Sequence, residues 1–323
     1  MSLPTPILID YSHAGLAELL RGTDVLAVFG FGSGAPGSDD PRYLRVGLEP
    51  ASTPAPFEVW RARGTVEHGR AGNVRWAADA DYCYGAVEVN EADHADIAEA
   101  SRIAYAQLAE FVAGSRWPHL VRIWNYLADI NDGDGDAERY KHFCTGRAAG
   151  MGELSGMAFP AASAIGRSDG VAVLQVYWLA AREPGRPIEN PRQTSAWRYP
   201  RQFGPTAPTF ARAMRAPGVA AQLYISGTAA VVGHASQHDG DVDAQLSETF
   251  ANLDSLLASA ALPPFGAGSV LKVYVRHAAD VPIVAAGLQR RLPSDARRLV
   301  LIGDICRLEL LVEIDGLHAA PGG

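Results

Sequence analysis

The chain carries one order of elements twice, and only the second copy ends in a carboxylate. Between residues 103 and 181 an apolar-periodic helix (Ile103, Ala104, Leu108, Phe111) precedes the strand VRIWNYL, a short second strand and a closing strand VAVLQVYWLA. Between residues 242 and 319 the order returns: a helix (Leu246, Phe250, Leu253, Leu257), the strand VLKVYV, then LVLIGDIC and a last strand LELLVEIDG. A helix-period segment followed by strand-period segments, repeated at domain spacing, is a degenerate duplication of one βαβ-type unit. Aligning the two closing strands puts Gln175 opposite Glu313. The fold unit is kept in both copies while the carboxylate stands in one, and that asymmetry points at an active site.

With 323 residues, 48% of them hydrophobic, the chain can bury large cores and has the length of two domains or one large one. No apolar run reaches the roughly 20 residues of a membrane span, and MSLPTPILID lacks the basic start and apolar core of a signal peptide. Cytoplasmic residence is therefore expected. Cys83, Cys144 and Cys306 are odd in number and show no CxxC spacing, which suggests reduced thiols rather than a disulfide framework or a zinc site. A net charge of -8, from 28 basic and 36 acidic residues, argues against nucleic acid or anionic lipid as partner. A small anion held by local arginines stays open.

The first 90 residues or so read as mixed β structure (DVLAVFGFG, YLRVGL, FEVWRA, VRWAA) broken by the Gly/Ser/Asp/Pro loop 33–41. GFGSGAPG lacks the GK[ST] ending and the following helix of a phosphate loop, so it is read as a loop. Residues 182–217 are proline-rich and connect the repeats, yet WRYPRQFGP is not linker composition. A long structured loop of this kind is a candidate binding wall. In LYISGTAAVVGHAS, Gly227 permits close backbone approach and Thr228 offers a hydroxyl, so the segment is either a ligand floor or a β-bulge at a sheet edge.

Several chemistries fail on their spacing. The acidic run DINDGDGDAE puts Ala137 where a calcium loop starting at Asp132 needs glycine, and Phe143 where it needs glutamate; a solvated turn fits better. His234 and His238 are four apart but sit in loop-like sequence without an HExxH glutamate. No GxSxG elbow, dinucleotide fingerprint or P-loop lysine occurs. What remains is a set of arginines with aromatic neighbours and one glutamate on an apolar strand. In LLVEIDGL, period-two alternation puts Leu311, Glu313 and Asp315 on one face. If that face is inward, burial raises the Glu313 pKa toward that of a general acid; if the strand is an exposed edge, Glu313 is an ordinary surface carboxylate.

The second repeat, from SGTAAVVGH through QLSETFANLDSLLASA and VLKVYVRHAAD to LLVEIDGLHA, resembles a RidA/YjgF-type domain. Joined to RIWNYLADIN, RYKHFCTGRAAG and SAWRYPRQFGP, the pattern resembles the chorismatase family. The resemblance implies an α+β fold of tandem RidA/YjgF-like (chorismate-mutase-like) units, mixed sheets with helices packed on one face. It divides the chain into residues 1–190, with a β-rich extension, and 191–323, which carry the acid. It implies a cofactor-free enzyme that removes pyruvate from chorismate, with Glu313 protonating the enol-ether methylene. Chorismate has two carboxylates, so two cationic anchors are expected: Arg147 and Arg201, with Tyr140 and Tyr199 donating beside them and Arg198 or Arg212 able to substitute. Gly227 and Thr228 complete the expected substrate contacts.

Cys306, seven residues before Glu313, resembles the branch that forms 3-hydroxybenzoate (with some 4-hydroxybenzoate in certain relatives); a buried inert thiol is the plainer account of it. The alternatives are the hydrolytic branch, which yields a dihydroxycyclohexadiene carboxylate, a RidA-like imine deaminase, and a ligand sensor on a retired enzyme. Monomer and homotrimer are both compatible with a tandem RidA-like chain.

Overall fold

The computed structural model describes residues 6–152, 158–167, 169–218 and 222–320. The N-terminal extension contributes β1 (Leu8–Ser12), a short helix α1 (Leu16–Leu19), β2 (Val25–Phe31), β3 (Tyr43–Val46), β4 (Glu49–Pro50) and β5 (Phe57–Arg61). The first repeat follows as β6 (Glu67–Ala71), β7 (Val74–Ala78), β8 (Tyr82–Asn90), α2 (Ile97–Ala113), β9 (His119–Ala128), α3 (Arg139–Met151), β10 (Ala161–Arg167) and β11 (Val173–Ala181). The second comprises β12 (Arg186–Ile188), β13 (Ala213–Arg215), β14 (Gln222–Ala229), the hairpin β15 (Val231–Val232) and β16 (Ala235–Ser236), α4 (Val242–Ser259), β17 (Ser269–Val275), α5 (Val281–Arg291), β18 (Arg297–Ile302), β19 (Asp304–Ile305) and β20 (Val312–Ala319).

The duplication is explicit in the sheets. The first repeat forms the order β19-β10-β9-β11-β8-β7-β6, the second β12-β13-β14-β20-β17-β18-β4. In each, two parallel strands flank a crossover helix (β9 with β10, β17 with β18), and the closing strand pairs antiparallel with the first of them. Gln175 pairs with Tyr126 and Glu313 with Tyr274, so the alignment read from sequence is the register found in space. This is the α+β arrangement expected from the sequence, with helices on one face of each mixed sheet. Strands cross between the halves: β12 begins the second sheet before residue 190, β4 from the extension closes its far edge, and β19 joins the first.

Alternation along the strands sorts side chains into two kinds of core. Leu174, Val176, Trp178 and Ala180 face α2 and α3, while Val312 and Ile314 face α4 and α5. The helices answer with buried stripes, Ala100, Ala104, Leu108 and Val112 on α2, and Leu246, Leu253 and Leu257 on α4. Asp96 and Asp241 cap them, each side chain accepting a backbone N–H of the first turn. On the other face the two large sheets and the four-stranded sheet β1-β5-β2-β3 enclose a third core. Its centre is aromatic: Trp124 stacks on Tyr177 at 4.8 Å, with Trp60 and Phe29 against them.

Helix α3 was not foreseen from sequence, because RYKHFCTGRAAGM has almost no apolar periodicity and two glycines. Those glycines are where α2 comes closest. A Cβ on Gly146 would lie 2.0 Å from Ala98 O, and one on Gly150 would lie 2.4 Å from Arg102 O. Helix α5 fills the stretch between VLKVYV and LVLIGDIC as the crossover of the second βαβ unit. Leu311 precedes β20 and packs against the helix-side core rather than sharing the face of Glu313.

Charged pairs cross the inter-sheet core. Lys272 on β17 bonds Glu58 on β5 at 2.8 Å, both nearly sequestered, and Trp60 Nε1 donates to the other carboxylate oxygen. Removing one partner strands a buried charge, whereas removing both does not. Lys272→Met should lower stability by about 3–5 kcal/mol in chemical denaturation. The Lys272→Met/Glu58→Leu double variant should recover most of that loss; a double variant as unstable as the sum of two damaging singles would contradict the pairing.

Candidate active site

Glu313 emerges from β20 into a cavity of about 340 Å³ between the two repeats. Its side chain faces inward with only 5% exposure, and no described group hydrogen-bonds its carboxyl. Burial raises its pKa to about 8, the charge of Asp315 adds to the rise, and Arg122 and Arg212 pull it back. The group is therefore an acid at neutral pH rather than a carboxylate. Opposite it, β14 shifts register between Ile225 and Thr228, and this bulge brings Gly227 against the acid. A Cβ at Gly227 would stand 1.9 Å from Glu313 Oε1, so only glycine leaves room. The ligand-floor and bulge readings of this segment are the same feature.

Two residues along the same strand face, Asp315 is fully buried and held by four donors on a single oxygen. Arg122 Nη2 (2.9 Å), Trp124 Nε1 (3.1 Å), Ser163 Oγ (2.6 Å) and Tyr274 Oη (2.9 Å) all donate to Oδ2. The contact with Arg122 is charge-assisted. A fixed negative charge thus stands behind Glu313, supplied by a pair that joins β9 of one repeat to β20 of the other.

The structure brings six of the expected residues to the cavity: Glu313, Cys306, Tyr140, Tyr199, Arg212 and Gly227. Arg212 is 4% exposed; Nη2 donates to Thr194 O and Tyr199 Oη, both at 2.7 Å, while Nε has no partner. No carboxylate among the described residues forms an ion pair with it. Arg212 thus brings to the cavity wall a buried guanidinium with no ion-paired carboxylate, while Glu189 accepts its backbone N–H. Tyr140 stacks on Phe143, and burial keeps its phenol far above the usual range. The half-buried Cys306 thiol is pushed up to about 12, by burial first and Glu313 next, so it is a thiol and not a thiolate.

Four expected contacts are corrected by the geometry. Arg147 lies on α3, 3% exposed, under the ring of Tyr105 and donating to Thr209 O at 2.8 Å; it braces two helices and a loop and does not line the cavity. Arg201 points to solvent, 64% exposed, in a fork with Asp136. Arg198 is exposed on the same loop. Thr228 is buried with its hydroxyl turned back to Ser226 O. The segment WRYPRQF does contribute Tyr199, Gln202 and Phe203 to the cavity wall, but its sequence offers no way to choose among its arginines.

The cation that sequence reading missed is Arg307. Its guanidinium lies 4.1 Å from the ring centre of Phe203 and 5.1 Å from that of Tyr199, and donates to His234 O and Ser236 Oγ. Only its place next to Cys306 in the loop before the acid strand hinted at it. The acidic run read as a solvated turn also contributes a wall, through Asn131, Gly133, Asp134 and Gly135, with Gly133 and Gly135 at positive φ. Of the two histidines, His234 packs edge-on against Phe203 and His238 meets Glu248 at 3.1 Å.

Comparison with known proteins places the chain in a family. The family profile "Chorismatase FkbO/Hyg5-like, N-terminal" matches residues 58–180. A 3-hydroxybenzoate synthase from Streptomyces hygroscopicus is 38% identical over 286 residues, which cover 83% of this chain and 83% of that protein. A chorismatase from Streptomyces rapamycinicus is 35% identical over 81% of this chain and 82% of its own length. A chorismatase crystal structure superposes with a TM-score of 0.87 at 31% identity, covering 99% of this chain and 100% of that one. The chain belongs to the chorismatase family.

Proposed function

We propose that the protein converts chorismate to 3-hydroxybenzoate and pyruvate, with Glu313 as the proton donor. The observation that carries this reading is a dry, protonated carboxyl facing a cavity whose wall holds a buried, carboxylate-free guanidinium, Arg212. Arg212 and Arg307 are the natural holders of the two substrate carboxylates, and Tyr199 joins them by bonding one and lying under the other.

Glu313 delivers its proton to the enol-ether methylene, which becomes a methyl group and leaves an oxocarbenium ion. The ring C3–O bond then breaks, its electron pair forming the keto group of pyruvate, as the neighbouring C4 hydroxyl oxygen bonds C3 and gives its proton to the Glu313 carboxylate. The C4–O bond of the resulting epoxide opens, and loss of the C3 hydrogen as a proton, balanced by protonation of the oxygen now held by C3, aromatises the ring as 3-hydroxybenzoate and leaves Glu313 in its starting state. The two products together contain all the atoms of chorismate, so neither water nor a redox partner enters the balance. Asp315 acts at one remove: its locked charge keeps Glu313 protonated and opposes build-up of negative charge on it. The name of the Streptomyces hygroscopicus relative and the Cys306 thiol beside the acid favour this outcome over attack by water. The inward faces of three sheets close around one core within the single chain, which supports a monomer; light scattering should return the mass of one chain, and a threefold mass would overturn that.

Incubation with chorismate should release pyruvate and 3-hydroxybenzoate in equal amounts. A non-aromatic diene in place of the benzoate would assign the chain to the hydrolytic branch. Glu313→Gln keeps size and polarity but not the proton, and should lower kcat by about 10²–10⁴-fold while the fold is retained.

The raised pKa has a second consequence. Because the protonated form is the active one, kcat/KM should fall as pH rises through about 8. Asp315→Asn removes the negative charge that helps hold the proton, leaves Arg122 in place, and so lowers the Glu313 pKa. The falling limb should move to lower pH, with activity lost at neutral pH and regained on acidification. A variant that is weaker at every pH by one constant factor would show that Asp315 serves only packing.

A further inference from the structure

Glu313 has a register twin, and the twin also faces a cavity. Gln175 stands opposite Tyr126 as Glu313 stands opposite Tyr274, and the two tyrosine hydroxyls meet at 3.1 Å across the core. In front of Gln175, between the first repeat and the N-terminal sheet, lies a cavity of about 490 Å³. It is assembled like the first one. The end of the second parallel strand and the segment after it line each cavity, through Arg167, Asp169 and Val171 here and Cys306 to Leu310 there. A neighbouring body supplies the facing wall, Tyr43 to Gly47 of the N-terminal sheet here and Asn131 to Glu138 of the first repeat there.

The chemistry differs at the position that matters. Gln175 has no dissociable proton and is locked: Oε1 accepts Gly47 N–H at 3.0 Å, and Nε2 donates to Arg45 O at 2.8 Å and Glu88 Oε1 at 2.7 Å. This cavity therefore lacks an acid at the catalytic register. Its charges are three arginines against two carboxylates. Arg167 forks onto Asp169 and bonds Val173 O, and Arg75 pairs with Glu88. Arg45 is exposed and pairs with no carboxylate among the described residues. One positive charge is thus left over in a lining that also includes Ser33, Ser38, Tyr43, Val171 and Val173.

We infer that this second cavity is a non-catalytic binding site for a small monocarboxylate with a planar apolar body, anchored by Arg45. The guanidinium takes the carboxylate and the valine and tyrosine side chains take the ring. A probe with both features and a heavy-atom label is 4-iodobenzoate. Calorimetry should give two binding equivalents for the wild-type protein and one for Arg45→Ser. Anomalous maps from soaked crystals should show iodine in both cavities of the wild type and only beside Glu313 in the variant. Turnover of chorismate by Arg45→Ser should stay within twofold, since Arg45 touches nothing in the first cavity. A single wild-type equivalent, or a second equivalent that survives Arg45→Ser, overturns the inference. Absence of chorismate turnover by the wild type would instead count against the reading of the first cavity and leave the second untouched.

Discussion

The ion pair between Arg122 and Asp315 lies where the two repeats meet, and both side chains are wholly withdrawn from water. Such a pair is costly to bury, and hydrogen bonds to its atoms offset part of that cost. Here Asp315 Oδ2 takes four donors drawn from β9, β10 and β17, while Asp315 Oδ1 and Arg122 Nε have no partner among the described residues; the four bonds tie the first sheet to the second. Its other effect is electrostatic. Arg122 and Asp315 act on Glu313 in opposite senses, and the carboxylate outweighs the guanidinium among the causes of the shift. The contact that ties the repeats together therefore also adds, after burial, to the raised pKa of the acid.

Dryness at Glu313 is produced by three separate pieces of chain. The bulge in β14 brings glycine backbone against the carboxyl, the loop before β20 lays Cys306 to Leu310 over it, and the turn after β9 closes the far side. None of the three offers the carboxyl a hydrogen bond, which is why burial dominates its titration. A single donor from any of them would favour the ionised form and deplete the protonated one at neutral pH. Glycine at position 227 serves this twice, by admitting the carboxyl and by bringing no side chain to bond it.

Much of this was legible in the sequence, for reasons that can be traced. The closing strands repeat in order and spacing, so the duplication and the match of Glu313 to Gln175 could be read from residue order alone, while burial of Glu313 stood against an exposed edge as one of two readings until β20 was found inside the second sheet. Helix α3 could not, because its Gly146 and Gly150 answer to the backbone of α2, a tertiary demand with no local periodicity. The arginines divide in the same way. Sequence marks a segment rich in guanidinium and aromatic groups, but whether a given arginine meets solvent, a helix or a cavity depends on packing. Arg212 faces the cavity because it adjoins the strand that pairs with β14; Arg201, on a 3-10 turn nearer the surface, meets Asp136 instead. Arg307 sits in the loop that roofs the acid, a place that becomes visible only when β19 is seen to join the other sheet.

Divergence of the copies has a physical use beyond catalysis. In an assembly of identical units every charge placed on the inward face recurs at each symmetry-related position, so complementary pairs there must be self-complementary. A tandem chain escapes that restriction. Asp315 has Tyr177 as its twin, Lys272 has Trp124, and Arg122 has Val270. One copy thus supplies the carboxylate where the other supplies an aromatic ring, and Lys272 lies over the face of the Trp124 ring at 4.9 Å while bonding Glu58 of the extension. The paired charges and the stacked aromatics of the inter-sheet core are the two halves of one substitution pattern. An asymmetric core is what allows a single acid, rather than a ring of equivalent ones, to stand next to a buried negative charge without facing its own image.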